Sequence, residues 1–238
     1  MLKGLLDTLF PPLCHICKGH FPGDGDLHLC ITCLDTLRFI GSPLCTVCGR
    51  PFAGGCEDHT CGHCLTDPPP YSAARAAVIF AGGIQELVHR FKYQHNVRLR
   101  RPLGLLTARS LAGFAAAVDP DLLIPVPLHR KRLRWRGYNQ AALLGEILAK
   151  EWRVPLHRDN LRRIRWTEPQ TQLPAAERLK NLRGAFAVRD RGAIEGKRIM
   201  LLDDVYTTGS TVVECASTLR KAGAAAVYVV TVARAALD

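Results

Sequence analysis

Beyond residue 75 the chain alternates between two patterns of apolar and polar positions. Short, continuous apolar runs bounded by polar or turn residues predict buried strands, and segments with an apolar residue every three or four positions predict helices with one buried face. The predicted strands are AAVIFA (76–81), DLLIPVPL (121–128), KRIMLLDD (197–204) and AAVYVVTVA (225–233). The predicted helices are GGIQELVHRFKYQH (82–95), RPLGLLTARSLAGFAAAV (101–118), NQAALLGEILAKEW (139–152) and STVVECASTLRKAG (210–223).

This alternation determines the fold class that we expect. Strands that alternate with helices along a chain favour β-α-β crossovers and a mainly parallel sheet. The strand at 197–204 is apolar at consecutive positions, which is typical of a sheet covered by helices on both faces. We therefore predict an α/β domain over residues 71–238.

The first 67 residues follow a different pattern, set by cysteine. Nine of the ten cysteines lie within residues 1–64, and eight of them form two repeats of C-x2-C-x12-C-x2-C. Two such pairs can supply the four thiolates of a tetrahedral, closed Zn2+ site with a structural role. The predicted ligands are Cys14, Cys17, Cys30 and Cys33 for one ion, and Cys45, Cys48, Cys61 and Cys64 for the other.

The second quartet has competing ligands. Cys56, His59 and His63 lie within it and could replace a cysteine, although the spacing favours Cys61 and Cys64. The proline-rich segment TDPPPYS (66–72) follows and interrupts regular structure, so we interpret it as a linker. The predicted domains are a cysteine-rich zinc-ribbon domain at 1–67 and the α/β domain at 71–238.

The use of cysteine indicates where the protein is located, and the charge indicates which kind of partner it binds. The first segment is a poor signal peptide because Asp7, Pro11 and Pro12 interrupt it, and no apolar run approaches the ~18 residues that a spanning helix needs. Clustered cysteines then favour a reducing, cytoplasmic location without membrane insertion. Residues 1–70 carry four Lys/Arg and seven Asp/Glu, whereas the remainder carries 28 and 14. A basic body indicates either an anionic partner, nucleic acid or a phosphorylated small molecule, or only a solvated surface, and charge alone does not distinguish these.

The segment LLDDVYTTGST (201–211) contains the strongest candidate chemistry. It follows a predicted strand and precedes a predicted helix, where free backbone N–H groups and the helix dipole favour an anion. Asp203 and Asp204 come first, and small or hydroxyl residues follow. In the simplest alternative, the segment is only a strand-to-helix turn with polar caps. A run of Thr207, Thr208, Gly209, Ser210 and Thr211 is longer than caps require and is typical of a phosphate-binding loop.

The two carboxylates restrict the kind of phosphate compound. They can accept hydrogen bonds from sugar hydroxyls, or hold Mg2+ that bridges to a second phosphate. Neither a G-x-G-x-x-G nor a G-x-x-x-x-G-K-[ST] loop is present, which disfavours dinucleotides and ordinary nucleoside triphosphates. The segment therefore predicts a phosphorylated sugar as ligand.

These motifs resemble those of a known family. IMLLDDVYTTGST resembles the phosphoribosyl-pyrophosphate (PRPP) motif of type I phosphoribosyltransferases. Together with LLDTLFPPLCHIC before the cysteine pairs and IPVPLHRKRLRWRGYNQ in the middle, it resembles the ComF family of competence-associated phosphoribosyltransferase-like proteins. The resemblance implies a type I phosphoribosyltransferase fold with an N-terminal double zinc ribbon.

The resemblance also implies roles for particular residues. Asp203 and Asp204 would hold the ribose of PRPP directly or through Mg2+, and Arg136 would act beside them in catalysis. The segment RWTEPQTQLPAAERLKNLRGAF (165–186) would be the loop that closes over PRPP. The remaining implied ligand contacts are Pro125, Val126, Pro127, Asn139, Gln140, Thr167, Gln170, Arg178, Asn181, Val205 and Thr207 to Thr211.

Two functions from different classes remain after the sequence analysis. The first is transfer of a phosphoribosyl group from PRPP to an acceptor selected by residues 71–118, where Lys92 and Tyr93 either line the site or only pack. The second is a non-catalytic competence protein that binds single-stranded DNA, or other competence proteins, and senses PRPP or keeps a relic site. HRKRLRWRGYNQ (129–140) interleaves cations with Trp135 and Tyr138, a pattern that fits binding of PRPP, binding of single-stranded nucleic acid or a solvated loop. We interpret residues 130–136 and 158–165, both rich in cations, as loops.

Overall fold

A four-stranded parallel sheet lies at the centre of the molecule. The computed structural model describes residues 12–21, 26–54, 57–167 and 181–236. The strand order is β1-β6-β5-β2, and a separate two-stranded antiparallel sheet pairs β3 with β4. The strands are β1 (Ala73–Ile79), β2 (Leu122–Pro125), β3 (Leu161–Arg163), β4 (Phe186–Val188), β5 (Arg198–Tyr206) and β6 (Ala226–Arg234).

Both faces of the sheet are buried, as the continuous apolar run in β5 predicts. Met200 and Leu202 pack into one core with helices α3, α4 and α7, whereas Ile199 and Leu201 pack into a second core with α8 and the β3–β4 hairpin. The helices are α1 (Ile31–Asp35), α2 (Gly62–Thr66), α3 (Gly82–Tyr93), α4 (Arg100–Ser110), α5 (Ala112–Val118), α6 (Arg130–Arg136), α7 (Gln140–Trp152) and α8 (Ser210–Lys221).

The cysteine-rich region packs against strand β1 and helix α4. The Ile40 N–H donates to the Ala77 carbonyl at 3.0 Å, and Leu37 joins the core that faces α3. On the surface, Asp26 accepts from Arg101 at 2.6 Å. The predicted fold class is thus confirmed as a parallel sheet flanked by helices with a small N-terminal cysteine-rich module.

Several element boundaries differ from the prediction. The helix predicted at 101–118 divides at Leu111, where the backbone (φ −109°, ψ 14°) leaves the helical region. Strand β5 continues through Tyr206, two residues past the predicted end at 204, so Asp203 and Asp204 lie inside the strand and not at or beyond its end. The loop predicted at 158–165 contains strand β3, which pairs with β4.

The loop predicted at 130–136 is wrong as well, because these residues form helix α6. The His129 side chain accepts from the Lys131 N–H and caps its start, and Gly137 ends it in the left-handed conformation (φ 79°). Polar residues on most sides of a seven-residue helix hide its period, so only the two caps signal it. None of the described helices combines the length and hydrophobicity needed to cross a lipid bilayer.

Candidate functional site

The two cysteine quartets come together as the spacing predicts. In each group the four Sγ atoms lie within 4.8 Å of one another. Backbone N–H groups point at the sulfurs: Cys30 N–H donates to Cys14 Sγ at 3.4 Å, and Cys61 N–H donates to Cys45 Sγ at 3.3 Å. Burial opposes ionisation, but these donors outweigh it and lower the pKa of both Cys14 and Cys45 to about 6. Thiolates in this arrangement fit tetrahedral Zn2+.

Neither His59 nor His63 joins the second quartet. The His59 ring stacks on Phe52 with centroids 4.1 Å apart, and its Nδ1 contacts the Glu57 carbonyl. The second group consists of Cys45, Cys48, Cys61 and Cys64, without His63, and Cys56 lies outside the described residues. The chain therefore carries two four-cysteine zinc-binding sites, and closed four-thiolate sites are structural.

Asp203 and Asp204 form the acidic centre at the carboxyl edge of the sheet. Asp203 Oδ1 accepts from the Asp204 N–H at 2.8 Å, and Asp204 Oδ1 pairs with Lys92 Nζ at 2.9 Å. The pKa of Asp203 is raised to about 7, mainly by burial and also by the neighbouring charge of Asp204, although Lys92 opposes this shift. Burial disfavours the charged form of Lys92, but Asp204 and Asp203 outweigh it and raise its pKa. A ligand that donates hydrogen bonds, or Mg2+, would relieve the repulsion between the carboxylates.

The loop after β5 has the shape of an anion cradle. Thr207 and Thr208 are exposed, and Gly209 at φ 80° starts helix α8. The Thr208 and Ser210 hydroxyls are 2.9 Å apart. A Cβ on Gly209 would overlap the Tyr206 hydroxyl, so only glycine lets the loop pass this close to the ring. The buried Val205 lies in the strand core and presents no polar side-chain group to a ligand.

Cations on three segments, Lys92, Arg132 and Arg163, interact electrostatically with the carboxylates. Burial and, to a smaller extent, the positive charge of Arg136 lower the pKa of Arg132, whereas the negative charge of Asp204 opposes them. The pKa of Arg163 is lowered in the same way by burial and by Arg132, and Asp203 opposes this shift. The Arg136 guanidinium lies 5.1 Å from the Tyr93 ring centroid and is buried. Its Nε has no hydrogen-bond partner among the described residues. These cations offset the charge of a phosphorylated ligand beside two aspartates.

The residues at and after the end of β2 form a second loop, and Asn139 supports its backbone. Asn139 Nδ2 donates to the Val126 carbonyl at 3.0 Å, and its Oδ1 accepts from Ala141 N–H at 3.0 Å as the cap of α7. Val126 N–H in turn donates to the Leu202 carbonyl at 2.8 Å. Pro125 and Pro127 are buried beside it. Gln140 is buried with its Nε2 unpartnered among the described residues.

Only the two ends of the predicted closing loop lie among the described residues. Thr167 accepts a hydrogen bond from Arg163, and the Asn181 carbonyl accepts from Arg165 at 2.7 Å. Gln170 and Arg178 lie outside the described residues. The structure thus groups Asp203, Asp204 and the loop at 207–211, with Arg136 on the nearby helix α6, and leaves the roles of 167–181 as predictions.

The chain is similar to several known proteins. Residues 5–65 match the family model of the double zinc ribbon domain. Competence protein F of Haemophilus influenzae is 36% identical over 153 residues, which cover 63% of this chain and 67% of that protein. The DNA utilization protein YhgH of Escherichia coli is 33% identical over 171 residues, covering 69% and 73%.

The chain belongs to the ComF family of competence proteins. The competence protein ComFC of Bacillus subtilis is a further relative, 32% identical over 64% of this chain and 60% of its own length. Solved neighbours include a glutamine PRPP amidotransferase from B. subtilis (25% identity, TM-score 0.38, 58% of this chain and 26% of that chain). Another is a purine phosphoribosyltransferase from Pyrococcus horikoshii (21% identity, TM-score 0.33, 54% and 70%). These structural likenesses are too distant to bear on function.

Two contributions to this ComF site were missed or left open by the sequence. Lys92 was one of two possible lining residues, and its partner Asp204 lies 112 positions away. Arg163 was not singled out, because it belongs to a three-residue strand without a clear period. No local sequence pattern predicts that Lys92 or Arg163 lies near the aspartates, although the excess of Lys and Arg beyond residue 70 indicates that some cations contribute to the site.

Proposed function

We propose that this ComF protein binds PRPP with Mg2+ at the carboxyl edge of its sheet and transfers the phosphoribosyl group to an acceptor. One observation carries the proposal: Asp203 and Asp204 directly precede a hydroxyl-rich loop that starts a helix at a left-handed glycine. Such an edge pairs acceptors for sugar hydroxyls with donors for a phosphate.

Each part of PRPP has a complementary group in the proposal. The 5-phosphate would bind the loop at 207–211, whose backbone N–H groups and hydroxyls donate hydrogen bonds to it. The ribose hydroxyls take Asp203 and Asp204, and these carboxylate oxygens are the hard ligands that Mg2+ prefers. The pyrophosphate would bind on the cationic side of the site, near Arg132 and Arg163, which interact electrostatically with the aspartates.

The chemistry then follows from charge and orientation. The bond between the anomeric carbon and the pyrophosphate oxygen breaks, a nucleophilic atom of the acceptor bonds to that carbon, and pyrophosphate leaves with the bonding electron pair. Bound Mg2+ would neutralise the departing oxygens. Arg136 and its neighbouring cations stabilise negative charge on the same side, and the two aspartates orient a ribose that becomes cationic in the transition state.

Isothermal titration calorimetry tests the binding step. We expect PRPP to bind in the presence of Mg2+ and to bind more weakly when EDTA replaces it, because the ribose and pyrophosphate then lose their shared cation. Ribose 5-phosphate and pyrophosphate, each offering half of the contacts, serve as controls and should bind more weakly than PRPP. Absence of heat at millimolar PRPP would refute the proposal.

A second function is favoured by the exposed aromatic surface of helix α6. Trp135 is 63% exposed and Tyr93 48% exposed, with ring centroids 6.5 Å apart. Arg130, Lys131 and Arg134 lie on the same helix. Exposed rings between cations are typical of single-strand binding, in which bases stack and cations neutralise phosphates. The names of the relatives, which refer to competence and DNA utilization, support the same proposal.

The Trp135→Ala variant should weaken binding of single-stranded DNA by about five- to a hundredfold, because stacking contributes about 1–3 kcal/mol per base. Fluorescence anisotropy with a labelled oligonucleotide measures it, and the affinity of the wild type should fall steeply with salt. Leu133→Ala, also exposed on α6 but without a ring to stack, is the matched control. Equal affinities for the two variants would exclude α6 as the stacking surface.

The domain division and the location extend the proposal. We propose that residues 1–67 form the zinc-ribbon domain and residues 71–238 the phosphoribosyltransferase-like domain, in agreement with the family match at 5–65. Membership of a family of competence proteins supports the further proposal that this protein binds other competence proteins. The cytoplasmic location stays a prediction from cysteine usage.

A further inference from the structure

We propose that the second cysteine quartet holds the phosphate-binding loop in shape, with Arg234 and Tyr206 as the positioning residues between them. The inference rests on the proposed function for what the loop binds, but the connection itself is a property of the fold. It gives the zinc ribbon a role in ligand binding in addition to folding.

Arg234 is the first link. It ends strand β6 and is only 4% exposed. Its guanidinium donates to the Cys48 carbonyl at 2.7 Å and lies 3.8 Å from Cys48 Sγ. Four thiolates around Zn2+ carry a net charge of −2, which a guanidinium complements from outside the coordination sphere.

The surroundings of Arg234 offer little else to balance its charge. The salt bridges of the described residues include none with Arg234, and its Nε has no hydrogen-bond partner there. A buried cation is costly without a compensating charge or hydrogen bonds. The Cys48 carbonyl, the sulfur cluster and the Tyr206 ring are therefore the groups that keep Arg234 in place.

Tyr206 is the second link. Its ring lies under Arg234, with 4.3 Å between the guanidinium carbon and the ring centroid, and its hydroxyl contacts the Tyr71 hydroxyl at 2.7 Å. The hydroxyl end of the ring also touches Gly209, where even one added carbon would not fit. Movement of Arg234 therefore frees the ring that supports the loop.

The knuckle that contains Cys45 and Cys48 is itself attached to the sheet. Ala74 N–H of β1 donates to the Val47 carbonyl at 2.7 Å, and Arg75 donates to the Thr46 carbonyl at 3.1 Å. A Cβ on Gly49 would overlap the Ala74 carbonyl, so the knuckle lies directly on β1. Because small zinc modules depend on their metal for structure, these contacts depend on an intact second site.

The first quartet makes different contacts and provides an internal control. It meets the body at helix α3, where Arg90 donates to the His15 carbonyl at 2.6 Å and Ile16 packs on Gly83. Neither contact reaches Tyr206 or the loop. Zinc loss at this site should leave the loop unchanged.

Hydrogen–deuterium exchange of the full chain tests the connection without any ligand. We expect amide exchange in peptides covering 206–211 to accelerate about two- to thirtyfold in Arg234→Met and in Cys61→Ser, which corresponds to the 0.5–2 kcal/mol by which residues that connect two sites change their coupling. Cys30→Ser, in the first quartet, and Arg198→Met, at the opposite edge of the sheet, should leave that exchange unchanged. Arg234→Lys keeps a charged donor and should retain most of the protection.

Zinc retention supplies a second readout, because coupling between two sites is reciprocal. Arg234→Met should release one of its two zinc ions to a chromogenic chelator faster than the wild type, and PRPP with Mg2+ should slow that release in the wild type. The Kd for PRPP should rise about two- to thirtyfold in Arg234→Met, on the same scale of coupling.

The outcomes separate the two proposals. Unchanged exchange at 206–211 in Arg234→Met, with unchanged zinc release, would overturn the connection even if PRPP binds. Accelerated exchange and zinc release in a protein that binds no PRPP would support the connection and refute the proposed function. Arg234→Met keeps all eight cysteines of the two quartets. It therefore decides the test even if Cys61→Ser fails to fold.

Discussion

Replacing Asp203 and Asp204 together by asparagine should lower the affinity for PRPP by at least about a hundredfold. Each aspartate is proposed to accept from a ribose hydroxyl or to hold Mg2+, and a charge-assisted hydrogen bond contributes about 1.5–3 kcal/mol. Losing two such bonds exceeds the ~2.8 kcal/mol that corresponds to a hundredfold change. Calorimetric titration of PRPP in Mg2+ measures the effect.

The sign of this change is as informative as its size. Lys92 pairs with Asp204, and Arg132 and Arg163 interact electrostatically with the two aspartates, so removing carboxylate charge makes the site more cationic. Attraction of net charge alone would then strengthen the binding of any phosphate compound. With EDTA in place of Mg2+, pyrophosphate, which has no ribose, should bind the double variant as well as or better than the wild type.

The control for the double variant is Asp121→Asn at the opposite edge of the sheet, where Asp121 accepts from Arg198 N–H at 2.7 Å. It should leave PRPP affinity unchanged. The melting temperature of each variant checks folding, because Lys92 loses its partner when Asp204 is neutralised. Tighter PRPP binding by a folded double variant would contradict the assigned roles of the aspartates.

The Gly209→Ala variant should have the second large effect. Alanine at φ 80° is strained by about 1 kcal/mol or more, and its Cβ would also overlap the Tyr206 hydroxyl, so the loop must move. We expect the PRPP Kd to rise at least about tenfold, because the phosphate donors lie on that loop.

Gly196→Ala separates strain from displacement of the loop. Gly196 has a similar φ of 71°, no atom within 4 Å of its would-be Cβ, and a position at the opposite edge of the sheet. Both variants should lose about 1 kcal/mol of stability in denaturant titrations. A PRPP affinity lowered equally by both would show that Gly209 acts through global stability and not through the loop.

The sequence predicts the parts of this fold that depend on local patterns. Helix α7 and strands β5 and β6 have clear periodic or continuous apolar positions, and the spacing of the cysteines is enough to predict both zinc sites. Strands β3 and β4 were missed because each has three residues, and 22 residues separate them in the chain. Helix α6 was missed because its residues are mostly polar.

The candidate site was predictable only where it is contiguous. Asp203 to Thr211 follow one another, so their order alone indicates a sugar phosphate. Lys92 and Arg234 act through partners more than 100 positions away, Asp204 and Cys48, and such pairs depend on tertiary packing that no local pattern encodes. The role of the second zinc site beside Tyr206 has the same origin.

A crystal structure of the protein with PRPP and Mg2+ tests the central claim most directly. We predict the 5-phosphate on the backbone N–H groups of residues 207–211 and the ribose hydroxyls within about 3 Å of the Asp203 and Asp204 carboxylates. PRPP bound elsewhere, or both carboxylates without ligand in crystals grown from millimolar PRPP and Mg2+, would contradict it.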